Sequence, residues 1–224
     1  MKRTLPFLCL LIFISLTAGA AHALVQVEFL YSIPAGKPIT VAIDSEGRLY
    51  ASQKEDTVWV LESDGRLVTK LGDKQQDKEG KPALKKPRGV SIFEDKIYVV
   101  DQSLDRIVLF KKDGSYLDYI GRGGSNPKEF DSPRGIFIQG GLIYVADTDN
   151  DRIQILGSNG VFLDSISKGS TTDPLKEPIA LAIGNDGTIF AADAKAGTVR
   201  LLKKQRTDLP YAAGRGNRGH GNRS

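Results

Sequence analysis

The chain has few of the residues that most often carry catalytic or metal chemistry. Its 224 residues include one cysteine, Cys9, and two histidines, His22 and His220. Cys9 and His22 lie in an apolar N-terminal segment, and His220 lies in a C-terminal segment rich in glycine and arginine. The sequence between them has no thiol and no imidazole. This excludes disulfides, zinc sites built on cysteine or histidine, and serine–histidine or cysteine–histidine nucleophiles from that part of the chain.

The N-terminal segment has the pattern of a secretory leader. Lys2 and Arg3 precede the apolar run LPFLCLLIFISL, and small residues follow up to Ala21-His22-Ala23. This order predicts a signal peptide over 1–23, cleaved after Ala23, and a periplasmic or extracellular location. Retention of the run as a membrane anchor is the alternative. Loss of two basic residues would lower the formal net charge from +4 to +2, and no later apolar run is long enough to span a bilayer.

The C-terminal segment over 211–224 lacks any apolar periodicity. It reads YAAGRGNRGHGNRS, a composition that cannot bury enough apolar surface to offset its ordering entropy. We therefore predict a disordered tail. The alternative reading, an arginine-rich arm for nucleic acid or anionic lipid, is less favoured in an exported protein, so no specific nucleic-acid partner is expected.

Between these segments one pattern occurs four times, over residues of about 34–82, 83–128, 129–173 and 174–206. Each copy places an aromatic residue in its second apolar run; these are Tyr50, Tyr98, Tyr144 and Phe190, spaced by 48, 46 and 46 residues. A repeat of about 40–50 residues made only of strands is typical of a propeller blade, because one small sheet cannot bury both its faces alone. The prediction is an all-β propeller over 24–210, built of four-stranded antiparallel blades.

The turn residues recur in register across the copies. Asp64-Gly65, Asp113-Gly114 and Asn159-Gly160 each separate the third and fourth predicted strands, where glycine permits a positive φ. A second set forms the hairpin between strands two and three: Asp101, Asp147 and Asp193 close the second strand, and Arg106 and Arg152 open the third. We interpret this set as structural, with Arg152 as the charge partner of Asp147.

The motif PRGIFIQGGLIYVADTDNDRIQIL, followed by GVFLDSI, resembles the NHL repeat. The resemblance extends over about residues 24–204; it is strong in the second and third copies and weaker in the outer two. It implies a β-propeller, commonly six-bladed. It constrains function weakly, because the family includes scaffolds, RNA-binding regulators, extracellular sensors and a lyase branch that uses a histidine-bound metal.

The strand count leaves closure of the propeller open. Residues 25–33 (VQVEFLYSI) resemble an isolated fourth strand, and the last copy offers three strands without a clear fourth. The first strand could therefore complete the last blade in a closed four-blade ring. The alternative is an incomplete arc of a six-blade ring, with apolar faces that aggregate or associate with another copy.

Two arginines are the candidate ligand-binding residues. Arg88 and Arg134 each follow the proline that opens an inner strand, so they should lie at the same height on adjacent blades, with Lys85 and Lys86 nearby. Converging guanidiniums at the mouth of the channel would bind a carboxylate or phosphate. Ordinary surface arginines, each paired with an acid, are the alternative.

Other chemistry is less well supported by the residues. The acidic run DTDND (147–151) lacks the glycine and terminal glutamate of an EF-hand loop, so turn residues rather than calcium ligands are predicted. Asp44 and Glu94 do not form part of a complete lactonase-like carboxylate set. The favoured function is thus an exported, non-catalytic scaffold that binds a protein or a small anionic ligand, without a cofactor. A lyase or calcium-dependent lactonase, or a partial propeller without independent function, remain the alternatives.

Overall fold

The computed structural model describes residues 32–80, 83–167 and 173–203. The predicted leader, nearly all of the segment 25–33 and the C-terminal tail lie outside these ranges. Within the described residues the secondary structure is almost entirely β-strand, apart from one three-residue 3-10 helix, Thr148–Asn150. Among the described residues, no helix is long and apolar enough to cross a membrane.

The strands form four main antiparallel sheets, each made of consecutive strands in sequence order. Sheet 1 contains β1 (Pro38–Ile43), β2 (Leu49–Gln53), β3 (Val58–Leu61) and β4 (Leu67–Leu71). Sheet 2 contains β5 (Pro87–Phe93), β6 (Lys96–Asp101), β7 (Arg106–Lys111) and β8 (Tyr116–Ile120). A short parallel pair follows, β9 (Arg122–Gly123) and β10 (Glu129–Phe130). Sheet 3 contains β11 (Ile136–Gln139), β12 (Leu142–Asp147), β13 (Arg152–Gly157) and β14 (Phe162–Ile166). Sheet 4 contains β15 (Pro178–Ile183), β16 (Ile189–Asp193) and β17 (Thr198–Leu202).

The outer hairpins of the first three sheets share one turn chemistry. Gly65, Gly114 and Gly160 have φ values of 87°, 88° and 77°, which residues with a Cβ adopt only at a cost. In the turn of sheet 2, the Asp113 carboxylate also accepts the backbone N–H of Ser115 at 2.8 Å. Equivalent bonds join Asp64 with Arg66 and Asn159 with Val161. These local bonds fix each turn and so set the register of the outer strands.

Three apolar layers hold neighbouring sheets together. The first packs Tyr50 and Val60 of sheet 1 against Val99 and Phe110 of sheet 2. The second joins sheet 2 to sheet 3, and the third joins sheet 3 to sheet 4. In sheets 2 and 3, which have a neighbour on each side, the second strand therefore contributes buried residues to both faces. This explains its almost continuous apolar sequence. This arrangement is a β-propeller, with the four first strands on the inside.

A further hydrogen bond crosses two of these junctions. Ser132 N donates to Asp105 Oδ1 of sheet 2 at 2.8 Å, and Glu177 N donates to Asp151 Oδ1 of sheet 3 at 2.8 Å. Each donor immediately precedes the proline that opens the next inner strand. At the corresponding position before sheet 2, Lys86 N instead donates to Asp101 of its own sheet. The junction between sheets 1 and 2 thus lacks this particular bond.

Candidate functional site

The inner strands of all four sheets line one central cavity of about 770 Å³. Aliphatic and polar residues both line it, and the charged residues among those described are all basic. The lining residues are Ile39, Thr40, Val41, Ala42, Ile43, Lys86, Arg88, Gly89, Val90, Ser91, Ile92, Gln102, Arg134, Gly135, Ile136, Phe137, Ile179, Ala180 and Leu181. Lys86, Arg88 and Arg134, with no carboxylate among the described lining residues, give the cavity a positive potential.

The two predicted arginines lie at this cavity, Arg88 in β5 and Arg134 two residues before β11. Gly89 N donates to Arg134 O at 2.8 Å, so the backbones of sheets 2 and 3 are in direct contact beside both side chains. This approach requires glycine: a Cβ on Gly89 would lie 2.7 Å from Arg134 O and 2.9 Å from Ile136 N. The P-R-G sequence therefore places each arginine immediately before a residue small enough for the sheets to meet.

Neither guanidinium has a carboxylate partner among the described residues, although both are partly buried. Arg88 Nε donates to Gln102 Oε1 at 2.7 Å, while the buried Nε of Arg134 has no hydrogen-bond partner there. Burial, and then the neighbouring charge of Arg134, lower the pKa of the Arg88 guanidinium. Two like charges thus face one cavity without a counter-ion from the described protein. Repulsion between the two guanidiniums destabilises the unliganded site, and an anion bound between them would relieve this repulsion.

A second cavity of about 730 Å³ adjoins the first and extends its positive charge. The two share Ile39, Lys86 and Arg88. The remaining charged residues of the second cavity are Lys37, Lys54, Lys85 and Asp56, so basic residues predominate there too. The positive field therefore begins outside the central cavity and leads toward its arginines, which would favour diffusion of anions to the site.

The repeated aspartates are part of the framework beneath the site. Asp101, Asp147 and Asp193 are almost completely buried. Each accepts a backbone N–H from the residue two positions before its blade's opening proline, with N–O distances of 2.6 Å from Lys85, 2.8 Å from Asp131 and 2.8 Å from Lys176. In each of these sheets, the bonds connect the segment that precedes the first strand to the hairpin between the second and third strands.

Asp147 differs from Asp101 in accepting hydrogen bonds mostly from side chains. Its carboxylate accepts Arg152 Nε at 2.7 Å, Gln154 Nε2 at 3.0 Å and the amide of Asn150, besides the N–H of Asp131. These donors occupy the oxygens that a metal ion would need. Across the described ranges, no group of three or more carboxylates, thiols or imidazoles is placed to hold a metal ion.

Arg106 has a different partner from Arg152, although the two occupy the same repeat position. Its Nη1 lies 2.7 Å from Asp77 Oδ2, and the side chains are only 7% and 0% exposed. The guanidinium also lies over the ring of Tyr119. The long charged connection before sheet 2 is therefore anchored by a buried ion pair.

Several residues that contact the site were not recognised from the sequence. Gln102 contacts Arg88 from an ordinary hairpin position. In sheet 1, where the repeat lacks its aspartate, Gln53 Oε1 accepts the N–H of Lys37 at 2.8 Å, close to the same place in the blade. An alignment of the four copies pairs Gln53 with Asp101, and this pairing is the one signal that could have identified it.

Comparisons with known proteins support the fold and leave the ligand open. The model of a six-bladed β-propeller family, DUF5128, matches residues 81–160, which is less than half of the chain. No curated protein has a matching sequence. Among solved structures, the computationally designed Ika4 protein is 11% identical, with a TM-score of 0.53 over 79% of this chain and 98% of its own.

Two natural structures are also similar. A chain of the nidogen/laminin complex is 22% identical, with a TM-score of 0.57 over 72% of this chain and 58% of that chain. The virginiamycin B lyase of Staphylococcus aureus, crystallised with quinupristin, is 16% identical, with a TM-score of 0.53 over 77% of this chain and 57% of the lyase. This chain thus spans a little over half the length of both proteins. Such low identities show the fold alone, and the fold is that of a β-propeller.

Proposed function

We propose that this propeller is a non-catalytic binding module whose central cavity takes a small anionic ligand with an apolar portion. The observation that carries the proposal is the convergence of Arg88 and Arg134 on one cavity without a carboxylate to neutralise them. A ligand carboxylate or phosphate would supply that counter-charge, and it would also satisfy the buried Nε of Arg134.

The rest of the cavity supports the apolar part of the proposal. Ile39, Ile43, Ile92, Phe137 and Leu181 line it on all four sheets. Burial of an alkyl or aromatic group against them would contribute about 25 cal/mol per Å² of apolar surface removed from water. A ligand with one anionic end and a short apolar body matches both halves of the wall.

The test compares three defined probes by isothermal titration calorimetry: acetate, decanoate and inorganic phosphate. Decanoate should bind more tightly than acetate, because only its chain reaches the aliphatic wall. Hydrogen bonds to a charged group contribute about 1.5–3 kcal/mol, so Arg88→Ala or Arg134→Ala should weaken decanoate binding roughly 10-fold to 150-fold. Absence of binding by all three probes would refute the proposal.

A matched arginine substitution separates the site from general charge. Arg66→Ala removes a guanidinium that is 67% exposed and lies 3.6 Å from Glu62 in sheet 1, outside the cavity. It should leave decanoate affinity unchanged. Equal weakening by Arg66→Ala and Arg134→Ala would show that net charge, and not the cavity, controls binding.

We propose further that the protein is exported and that its repeats are of the NHL type. Export is supported by the basic, apolar and A-x-A pattern of residues 1–23. The NHL assignment is supported by the I-Y-V-A-D and N-D-R-I motifs, whose Asp147 and Arg152 form one ion pair. N-terminal sequencing of the protein secreted by a bacterial host should give Leu24 as its first residue; retention of Met1 in the membrane fraction would contradict cleavage.

A further inference from the structure

Each terminal sheet exposes apolar residues on a face of the kind that internal junctions bury, although in sheet 1 this holds for β1 alone, since Ala51 and Leu61 on the same face are 2% exposed. Val199 and Leu201 of sheet 4 are 62% and 65% exposed, and Val41 and Ile43 of sheet 1 are 63% and 65% exposed. No apolar cluster of described residues joins these two sheets, whereas three such clusters join the others. Within the described residues, sheet 4 thus has no following sheet and sheet 1 has no preceding one.

The exposed face of sheet 4 has the composition of a junction face. Strand pairing aligns Phe190 with Ala182 and Leu201, and Ala192 with Ala180 and Val199, so these six residues share one face. None of them is polar. Phe190 occupies the repeat position of Tyr50 and Tyr98, which are 0% and 1% exposed at their junctions, yet Phe190 is 36% exposed. This face is built for contact with another sheet.

The position of Ile33 identifies what should precede sheet 1. Between sheets 1 and 2, the turn glycine Gly114 lies against Leu71, the last residue of β4; a Cβ on it would lie 3.4 Å from Leu71 Cδ2. Between sheets 2 and 3, a Cβ on Gly160 would lie 3.2 Å from Ile120 Cδ1, and Ile120 ends β8. For Gly65 of sheet 1 the corresponding atom is Ile33 Cγ2, at 3.0 Å. Ile33 therefore lies where the fourth strand of a preceding sheet would end.

We infer that two copies of this chain associate head to tail, with sheet 1 of each copy packed against the exposed face of sheet 4 of the other. Ile33 of each copy would then lie beside sheet 4 of the other, at the position that Leu71 and Ile120 occupy at the internal junctions. Two such contacts close a ring of eight sheets, which is within the range of known propellers. The same surfaces meet in both contacts, so the assembly has twofold rotational symmetry.

A second copy accounts for the exposed faces better than closure within one chain. Closure of four sheets in one chain would bury Val41 and Ile43 against Val199 and Leu201, and all four side chains are more than 60% exposed. The occupant must also resemble sheet 1 in shape, because the other three junctions are all formed by sheets of this repeat. A second copy presents such a sheet, together with its Ile33.

The experiment measures the mass of the exported, purified protein by light scattering coupled to size-exclusion chromatography. The expected mass is twice that of one chain. Leu201→Asp and Ile43→Asp, which alter opposite faces, should each shift the protein to a monomer with an unchanged far-ultraviolet circular dichroism spectrum. Val161→Asp is the matched control, because Val161 is 52% exposed in an outer turn of sheet 3 and should leave the dimer intact.

A mixing experiment tests the head-to-tail geometry. Equal amounts of Leu201→Asp and Ile43→Asp retain one unaltered pair of faces between them, so the mixture should form a heterodimer that neither variant forms alone. A monomeric unsubstituted protein would overturn the inference in favour of closure within one chain. An open series of larger species, or a mixture that stays monomeric, would overturn the twofold ring.

Discussion

Replacement of Asp147 by alanine should destabilise the protein more than replacement of the equivalent Asp193. Its side chain is 0% exposed, and it neutralises Arg152, whose side chain is 12% exposed. The variant would leave this guanidinium, Gln154 Nε2 and the N–H of Asp131 without their shared acceptor. Removal of one partner from a buried ion pair costs about 3–5 kcal/mol, and we expect a loss in that range.

The equivalent substitution in sheet 4 provides the internal comparison. Arg200 Nε lies 3.4 Å from Asp193 Oδ2, a longer contact than the 2.7 Å between Arg152 and Asp147. Arg200 also has a second carboxylate partner, Asp173, which Asp193→Ala would leave in place. The expected loss is therefore about 1–3 kcal/mol, the penalty for buried donors that lose an acceptor.

Urea unfolding at neutral pH, followed by tryptophan fluorescence and circular dichroism, gives both free energies. Asp147→Asn retains one oxygen acceptor and the side-chain volume, so its loss should be smaller than that of Asp147→Ala. The reasoning fails if Asp147→Ala costs less than about 1 kcal/mol, or less than Asp193→Ala. It also fails if calcium raises the midpoint of unfolding through Asp147, because the hydrogen bonds described above leave no carboxylate oxygen for a metal.

Three further predictions concern other parts of the fold. Hydrogen bonds from Asn126, and the charge of Arg122, lower the pKa of Glu129 from 4.5 to about 2. The ionised carboxylate therefore stabilises the fold fully above pH 4.5, and this contribution disappears as the pH falls through about 2. Glu129→Gln should remove this pH dependence from the unfolding free energy, and an unchanged acid profile would contradict it. Gly89→Ala should cost about 1–3 kcal/mol and weaken decanoate binding, because its Cβ would displace the neighbouring inner strand; unaltered stability would show that the sheets separate freely there. Leu156→Ala, at a fully buried site, should cost about 2–5 kcal/mol by urea unfolding, and a smaller loss would indicate local collapse.

The blades were predictable because their signals are local. Alternating apolar residues, and turn glycines such as Gly114, specify strands and hairpins within a few positions, without information from distant sequence. The antiparallel sheets and the β-propeller fold predicted from these signals are confirmed. The sequence left closure open, because packing of sheet 4 against another sheet depends on contacts far apart along the chain.

The site was predictable only in part. The P-R-G repeat led to Arg88 and Arg134, and the structure places both at one cavity; binding of an anion by them stays a prediction. Asp77 could not be paired with Arg106 from sequence, because it lies in an aperiodic connection 29 residues away. The parallel pair β9–β10 was missed for the same reason, since two-residue strands have no period.

The bonds from Ser132 to Asp105 and from Glu177 to Asp151 bear on how the molecule opens. They connect sheets 2, 3 and 4 by partly buried carboxylate–amide contacts, while sheet 1 is joined to sheet 2 without the equivalent bond. Repeat proteins lose structure at their weakest interfaces first. The junction between sheets 1 and 2 relies instead on the apolar cluster with the most buried residues, so the missing bond does not make it the weakest junction. In native-state hydrogen exchange the amides of β17, in the terminal sheet with the smallest cluster, should therefore exchange at lower urea than those of β6 and β7.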